Sequence, residues 1–511
     1  MTLPHVARST LCVMGATLAS TVLGFAREIV NARYFGTHWE LDTFLAAATI
    51  PMIIFGVFHG ALVSALVPVF SAYLARGEEE AAWSLGNTVF HVLFLALMIS
   101  AVLGWIFAPW YVPLIAHGFP HPQLRVAIHM TRWLMPSIVA TSLAGIVNAM
   151  LNAYHRFTAA SFQGVASNLV TIVVMVLLYD RFGIYALVFG TVAGCFAALF
   201  VQIPSYMRMG HYRFTIDLKH PGLRAIWLML GPIVIGSAAG QIALFFDRFF
   251  ASTLTPGYIS GMNYASKLVG FPQQLFAAAI ATVIFPLLAN QFSHNDLDAV
   301  RKSMVTGLRL VNFVTIPAVF LLAILAHPIV STLFERGAFT SEASALCASF
   351  LPFAALALIP MAANIVLTRC CFACHESRWT VTASVISVAL NVVFSFLWLP
   401  WLGARGLLLA NAVSQCVQTL ILLLLVRHLL VGFAWHSLAI STFRVTLASC
   451  AMAILTFALE QYYGVGSAPF FTHLRGLLAE LLLACSVFFC AAKLLGVEEL
   501  QLLWRKWLTL R

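Results

Sequence analysis

Charged residues are scarce in this 511-residue chain, because Asp, Glu, Lys and Arg make up 9% of it while 61% is hydrophobic. A soluble domain needs about a quarter of its residues charged to cover its surface, so this composition excludes a water-soluble globule. The short alternating segments of outer-membrane barrels are also lacking. The apolar runs are instead about twenty residues long, the length of helix that spans the hydrocarbon core. The sequence therefore predicts an all-α polytopic membrane protein.

Catalytic and nucleotide-binding motifs are lacking as well. The sequence has no phosphate-binding loop, nucleophile elbow or zinc-protease helix, so neither an enzyme nor an ATP-driven pump is predicted. Its 28 Lys and Arg residues stand singly between apolar runs, which argues against nucleic acid as a partner. The ten cysteines form no disulfide framework. A C-x-x-C-H string at 371–375 matches haem attachment, but we interpret it as a cytoplasmic turn, and no cofactor is predicted.

Polar and Pro/Gly clusters divide the apolar sequence into fourteen predicted helices. These lie near residues 10–34, 41–73, 83–108, 124–152, 160–180, 183–205, 224–252, 258–288, 300–324, 343–370, 378–398, 405–430, 440–462 and 472–495. One set of loops and termini carries seventeen Lys and Arg residues, and the opposite set carries six. Positive residues favour the cytoplasmic side, so the sequence predicts that both termini are cytoplasmic.

Three short strings recur along the chain with nearly constant offsets of 218 to 220 residues. The pairs are 66–81 with 284–299, 113–119 with 332–339, and 152–157 with 372–377. An offset of six helices keeps both copies in one orientation, which predicts two pseudo-symmetric lobes around a central cavity. The predicted domains are an N-terminal lobe (1–215), a C-terminal lobe (216–432), and two additional helices with a cytoplasmic C-terminus (433–511).

Six charged residues inside predicted spans are the first candidates for a functional site: Arg27, Glu28, Asp42, Asp247, Arg248 and Lys267. All six lie on the first two helices of a lobe, and each costs several kcal/mol unless it faces a partner or a wet cavity. Arg27 and Lys267 suit an anionic ligand. For Glu28 and Asp42, a position near the headgroups is the alternative. That alternative is preferred for three other arginines, Arg33, Arg132 and Arg309.

Glycine and proline interrupt the same helices. Gly24 lies beside the charge pair of the first helix, and Gly270 and Pro272 lie in the eighth. Such residues allow bending, which a membrane tolerates only against protein or a wet cavity. Bending at a lobe interface is what alternating access requires, and close packing of small residues is the alternative.

Several strings resemble the signature of the MurJ/MviN lipid II flippase family. They are LGFARE (23–28), FGTHWELDTFLAAATIP (35–51), GALVSALVPVF (60–70), GQIALFFDRFFAS (240–252), YASKLVGFP (264–272), GLRL (307–310) and LFERGAFT (333–340). They occur in family order over roughly residues 10 to 380. The resemblance implies the fold of the multidrug/oligosaccharidyl-lipid/polysaccharide exporter superfamily with two added C-terminal helices. It also implies transfer of an undecaprenyl-pyrophosphoryl muropeptide to the outer leaflet.

The resemblance also implies roles for individual residues. The substrate-binding set carried over is Arg27, Lys267, Asp42, Arg248 and His59. Arg27 keeps a family arginine, Lys267 stands where the family usually has arginine, and Asp42 keeps a family acid. Asp247 matches an acid associated with cation binding in some members, which makes it the candidate for ion coupling.

This chain also departs from the family pattern. Thr21 stands at a common arginine position, Thr49 replaces a frequent lysine, and His59 stands where glutamate is common. The segment 51–60 also lacks the usual arginine pair. Each lost charged hydrogen bond is expected to weaken diphosphate binding by roughly 1.5–3 kcal/mol. Lysine at 267 also lacks the bidentate fork of arginine.

The sequence thus predicts a lipid II flippase of the bacterial cytoplasmic (inner) membrane that works by alternating access. Its expected partners are a lipid-linked glycan precursor, membrane lipids and cell-wall synthesis proteins. Three alternatives stay open: a flippase for another lipid-linked glycan, a drug or cation exporter on the same fold, and a non-transporting scaffold. The driving force also stays open between a monovalent cation and the membrane potential.

Overall fold

The computed structural model describes residues 3–154, 156–209, 212–374, 376–430, 435–463 and 470–500. Within these ranges the side chains at 3–11, 55, 57–64, 231–233, 235–237, 239, 462–463 and 470–473 are not described. Of the described residues 88% are helical, and none of them is in a strand. A helix satisfies its backbone polar groups internally, which hydrocarbon demands of any spanning segment. The prediction of an all-α polytopic membrane protein is confirmed.

The chain divides into two compact units, Met1–Ile259 and Ser260–Arg511. The helices of the first unit are α1 Leu3–Phe35, α2 Trp39–Ala47, α3 Thr49–Ala75, α4 Glu79–Ile115, α5 His121–Leu134, α6 Pro136–Ala153, α7 Phe157–Ser161, α8 Gln163–Phe182, α9 Tyr185–Phe200, α10 Ile203–Met207 and α11 Pro221–Ala251. Apolar side chains of α3, α4 and α6, among them Phe70, Leu85 and Met150, form the core of this unit.

The second unit begins within α12. Its helices are α12 Tyr258–Pro272, α13 Ala278–Ser293, α14 Leu297–Ile324, α15 Ala326–Phe334, α16 Ser341–Leu356, α17 Leu358–Ala373, α18 Ser377–Leu402, α19 Ala404–Leu429, α20 Trp435–Tyr463 and α21 Phe470–Leu494. One apolar core joins α13, α14, α17 and α19, and another joins α14 to α20 and α21. The two C-terminal helices therefore pack on α14.

Twelve helical segments in the described part of the chain are long and apolar enough to span a membrane. They correspond to twelve of the fourteen predicted helices, namely all except the second and the seventh. Those two correspond to α3, with 27 residues, and α11, with 31, in which part of the side chains is not described. Each predicted helix thus has a helical counterpart, and the total of fourteen spans stays a prediction.

Several predicted helices are interrupted near proline. A single non-helical residue separates α5 from α6 before Pro136, and another separates α16 from α17 shortly before Pro360. In the eighth predicted helix, a π-helical turn at Gln273–Ala277 follows Pro272 directly. Proline removes a backbone donor and crowds the preceding turn, so the hydrogen-bond ladder changes register there. The sequence prediction of one continuous helix at these places is wrong in detail.

The helix α11 packs against α3 and α4 inside the first unit. The repeat assigns α11 to the C-terminal lobe, because it is the seventh predicted helix. The predicted domain limits at 215 and 432 stay a prediction, since compactness divides the chain at Ile259 instead.

Candidate functional site

Arg27 lies on α1, eight residues before its end, and forms an ion pair with the neighbouring carboxylate. Its Nη2 is 3.1 Å from Oε1 of Glu28, and the two side chains are 30% and 8% exposed. The other carboxylate oxygen of Glu28 accepts a hydrogen bond of 3.4 Å from Asn31 Nδ2. The Arg27 side chain is thus paired with a carboxylate and partly exposed, and a cation of this kind can form charge-assisted hydrogen bonds with an anion.

The residues that replace family cations on α1 and α3 donate to backbone carbonyls four residues earlier in the chain. The Thr21 hydroxyl donates to the Thr17 carbonyl at 3.0 Å, and the Thr49 hydroxyl donates to the Leu45 carbonyl at 2.9 Å. Both are neutral, and neither supplies a positive charge. His59 lies in α3, but its side chain is outside the described part of the structure.

Asp42, Asp247 and Arg248 come together inside the first unit. Asp42 is 2% exposed, and its Oδ2 accepts a hydrogen bond of 2.5 Å from the backbone N–H of Gly257. Arg248, in the last turn of α11, interacts electrostatically with both Asp42 and Asp247. A carboxylate so deeply buried needs such partners, since an unpaired buried charge is costly. The cluster joins the start of α2 to the end of α11.

The segment after α11 fits closely against neighbouring backbone. Gly257 has φ +92°, and a Cβ there would lie 2.4 Å from the carbonyl oxygen of Thr37. Gly118 donates its N–H to Ser252 Oγ at 3.2 Å, and a Cβ on Gly118 would lie 2.3 Å from the Ser252 carbonyl oxygen. These contacts pack the segment after α11 closely against neighbouring backbone, beside the Asp42 cluster.

Lys267 lies on α12, in the second unit, and is exposed. Tyr264, three residues before Lys267 on α12, is fully buried, and its ring lies 5.1 Å from the ring of Phe334 and 5.4 Å from that of Phe339. Two of the family-like strings, YASKLVGFP and LFERGAFT, therefore pack together. Their contact orients α12 while leaving the Lys267 ammonium accessible.

The candidate residues thus divide into three groups. The structure brings Asp42, Asp247 and Arg248 together, whereas Arg27 pairs with Glu28 on α1. Lys267 belongs to the second unit. Their assignment to substrate binding or ion coupling stays a prediction.

Sequence reasoning missed a polar network in the second unit. Arg309 on α14 donates from Nη2 to Glu498 at 2.8 Å, from Nη1 to Ser437 at 3.1 Å, and from Nε to Glu499. Ser441 donates to Glu499 at 2.5 Å. The expectation that Arg309 extends to the headgroups is wrong, because its side chain is only 15% exposed and is bonded to protein. An arginine in an apolar helix and a Glu pair at the end of the last span were the available signals.

Sequence reasoning also overlooked two carboxylates in the added helices. Glu460 on α20 interacts electrostatically with Glu480 on α21 and with His327. Both glutamates lie inside or at the end of candidate spans. The six charged candidates named from the sequence therefore omit these two carboxylates.

The chain resembles proteins of one family over most of its length. The sequence profile described as "Lipid II flippase MurJ" matches residues 31–474. The lipid II flippase MurJ of Burkholderia cenocepacia is 28% identical over 429 residues, which cover 82% of this chain and 83% of that protein. The probable lipid II flippase MurJ of Haemophilus influenzae is 29% identical over 511 residues, covering 95% and 99%.

Solved structures show the same fold. A lipid II flippase MurJ in an inward closed conformation superposes with a TM-score of 0.82 at 23% identity, covering 95% of this chain and 98% of that one. An inward-facing multidrug resistance MATE family transporter of the MOP superfamily gives a TM-score of 0.70 at 14% identity, covering 83% and 98%. Because the family profile spans most of the sequence, this chain belongs to the lipid II flippase MurJ family.

Proposed function

We propose that this protein is a flippase that moves lipid II, an undecaprenyl-pyrophosphate-linked peptidoglycan precursor, from the inner to the outer leaflet of the bacterial cytoplasmic membrane. The observation that carries this proposal is the family match over residues 31–474. A flippase transfers its substrate without forming or breaking covalent bonds, in line with a sequence that has no catalytic motif. The protein is a multi-pass membrane protein with at least twelve apolar helices in its described part.

The proposed orientation has both termini in the cytoplasm. It rests on the excess of Lys and Arg in one set of loops, which is seventeen against six. The loop between α10 and α11 is then cytoplasmic, and the end of α1 and the start of α2 face outward. In this orientation the Asp42 cluster lies near the outer side.

In the proposed mechanism, Arg27 and Lys267 bind the diphosphate of the substrate. The polyprenyl chain stays in the bilayer, and rocking of the lobes exposes the headgroup to the outer side. Accessible Arg27 and Lys267 side chains support this role. Each charged hydrogen bond to the diphosphate contributes about 1.5–3 kcal/mol.

Asp42 and Arg248 act, in this proposal, by holding the end of α11 rather than by gripping the diphosphate. Their electrostatic contact with each other and the bond from Gly257 to Asp42 support a positioning role. Asp247 stays the candidate for cation coupling. The membrane potential is the alternative driving force, at about 2.3 kcal/mol per charge per 100 mV.

The test is complementation of a flippase-depleted strain by the full-length chain and by Arg27→Ala and Lys267→Ala. We expect the unmodified chain to restore growth and each variant to lose complementation while still inserting into the membrane. The matched control is Arg378→Ala, an exposed cation at the start of α18. Full complementation by both variants would refute the binding of the diphosphate by Arg27 and Lys267.

A second assay distinguishes lipid II from other lipid-linked glycans as the substrate. The purified protein is reconstituted in vesicles with labelled lipid II, or with an undecaprenyl-diphosphate carrying a different glycan. Faster flipping of lipid II supports the proposed substrate, and faster flipping of the other glycan points to a paralogue. If neither lipid is flipped, the proposed function fails.

A further inference from the structure

The segment joining α10 to α11 is fixed to the outside of α4. We call residues 212–220 the strap; residues 212–217 have no regular secondary structure, and a turn follows at 218–219. The ring of His91, on α4, hydrogen-bonds through Nδ1 to the Thr215 carbonyl at 3.2 Å and through Nε2 to the Tyr212 hydroxyl at 3.1 Å. Thr88 Oγ1 accepts from the Asp217 N–H at 3.0 Å. Because these partners lie on a buried helix face, the strap is an ordered part of the first unit.

The strap turns a row of apolar side chains outward. Phe214, Ile216 and Leu218 are 78%, 48% and 66% exposed. Trp227 and Leu228 on the first turns of α11 are exposed as well. Leu218, Trp227 and Leu228 line one pocket, and an exposed apolar patch of this kind marks contact with a membrane or another molecule.

Positive charge accompanies this apolar surface. A pocket of about 590 Å³ is lined by strap and α11 residues that include Lys219, Arg224, Trp227 and Leu228. Between residues 208 and 224 the chain carries four Lys or Arg residues and one carboxylate, that of Asp217. The Asp217 carboxylate accepts the Lys219 backbone N–H at 3.0 Å, so one of its oxygens is engaged within the strap. The pocket therefore combines two exposed cations with an aromatic and an aliphatic wall.

We propose that this surface binds one anionic phospholipid of the cytoplasmic leaflet. Lys219 and Arg224 hold the headgroup phosphate, and Trp227 and Leu228 contact the upper acyl chains. Phe214 and Leu218 anchor the strap in the interfacial layer, where aromatic and cationic side chains are favoured. Charge complementarity identifies the occupant, because the cytoplasmic leaflet carries negative lipids and attracts nearby Lys and Arg. The proposal rests on the proposed orientation but not on the transported substrate.

The experiment measures thermal stability of the purified full-length protein in a neutral detergent. Dioctanoyl phosphatidylglycerol is titrated against dioctanoyl phosphatidylcholine, because a ligand that binds the folded state raises the Tm. We expect a saturable rise with phosphatidylglycerol only. Lys219→Gln/Arg224→Gln is expected to shift the half-saturating concentration by roughly thirtyfold, about fivefold per cation. The matched control, Lys302→Gln/Arg378→Gln, removes two exposed cations elsewhere and is expected to leave that concentration unchanged.

Other outcomes overturn the proposal. An equal shift in both double variants means nonspecific charge attraction, and an equal response to both lipids means ordinary detergent replacement. Inorganic phosphate is expected to have no effect, and a rise with phosphate alone would mean that the apolar wall plays no part. If the Lys219→Gln/Arg224→Gln variant does not fold, the salt dependence of phosphatidylglycerol binding to the wild-type protein tests the proposal instead. Its half-saturating concentration is expected to rise at least tenfold between ~0.05 and ~0.5 M NaCl, because screening weakens exposed charge pairs.

The transported substrate is tested separately from this site. Undecaprenyl diphosphate is titrated in the same assay, and both double variants are expected to respond to it as the wild type does. A response lost only in Lys219→Gln/Arg224→Gln would assign the pocket to the substrate and refute the phospholipid proposal. Failure of lipid II flipping by the wild type would instead refute the proposed function and leave phospholipid binding intact.

Discussion

Removing the Arg309 guanidinium should release the two C-terminal helices from α14. Arg309 bonds Glu498, Glu499 and Ser437, so one side chain joins α14 to both ends of the α20–α21 pair. A second contact, Arg444 Nη1 to the Gly496 carbonyl at 2.9 Å, joins α20 to the same C-terminal segment. Apolar packing of the α14–α20–α21 core remains when Arg309 is removed. The expected effect is therefore local loosening rather than global unfolding.

The free-energy cost of removing the Arg309 guanidinium follows from the burial of the Glu499 carboxylate. Its side chain is 1% exposed, and one of its oxygens, Oε2, has no hydrogen-bond partner within the described part of the chain. Truncating the cation of a buried pair costs about 3–5 kcal/mol, because the remaining charge stays desolvated. The Glu498 carboxylate is 65% exposed, and neutralising it is expected to cost only about 0–1 kcal/mol. Arg309→Ala and Glu498→Gln thus differ by several kcal/mol although they break bonds in one network.

Hydrogen exchange of the full-length protein in detergent measures this difference. Arg309→Ala should speed exchange in α20 and α21 by roughly a hundredfold or more relative to wild type, whereas Glu498→Gln should change it by less than about fivefold. The double variant Arg309→Met/Glu499→Leu should recover most of the protection, since an apolar pair replaces the buried ions. Equal exchange in Arg309→Ala and wild type would refute the reasoning.

The same network predicts a pH dependence. Burial opposes ionisation of Glu499, but hydrogen bonds from Arg309 and Ser441 outweigh it and hold the Glu499 pKa below its ordinary value of 4.5. A lowered pKa in the folded state stabilises it above the unfolded pKa, and this contribution is lost as the pH falls through the folded pKa. Protection of α20 and α21 should therefore be constant near neutral pH and decrease below about pH 4.5. Glu499→Gln should abolish that decrease, and a decrease unchanged in this variant would contradict the assignment.

Three further substitutions test the contacts around the end of α11. Gly257→Ala should lower stability by about 1–3 kcal/mol, because its φ is +92° and the new Cβ meets the Thr37 carbonyl at 2.4 Å; Gly77→Ala, at φ +77° in open space, is the control and should cost less in the same thermal unfolding assay. Gly118→Ala should cost a similar 1–3 kcal/mol, since a backbone carbonyl lies 2.3 Å from the new Cβ, and an unchanged Tm would contradict the close packing. Asp42→Asn should lower the free energy of unfolding by about 1.5–3 kcal/mol. It should also reduce the flipping rate, because the end of α11 is no longer held in position. Substrate affinity should be unaffected, which a normal half-saturating lipid II concentration would confirm.

Much of the fold could be predicted because hydrocarbon imposes a simple rule on sequence. Long apolar runs must be helices, and polar clusters must end them, so each predicted span has a helix in the structure. The interruptions inside spans were harder to predict. Pro272 indicated a bend, but whether the helix breaks there or forms a π-helical turn depends on the neighbouring helices.

The candidate site could be predicted only in part. Arg27 and Asp42 were recognisable as charges in apolar surroundings, yet the partner of Asp42 was not. Glu28 is adjacent to Arg27, whereas the partner of Asp42, Gly257, lies 215 positions further along the chain. A backbone N–H has no signature in the sequence, so this contact could not be inferred from residue types. Arg309 was misjudged for the same reason, because its carboxylate partners are 189 and 190 positions away.

The sequence by itself determined that this protein is a helical membrane protein of the MurJ family, since hydrophobic length and ordered motifs are local properties of the chain. The tertiary structure decided which charges neutralise one another and which stay accessible. Only the packed helices show that Asp42 meets Gly257 and Arg248, or that the strap turns Phe214 and Leu218 outward. The physical reason is that the cost of a charge in a membrane depends on its distance to a partner, and that distance is set by packing between distant segments.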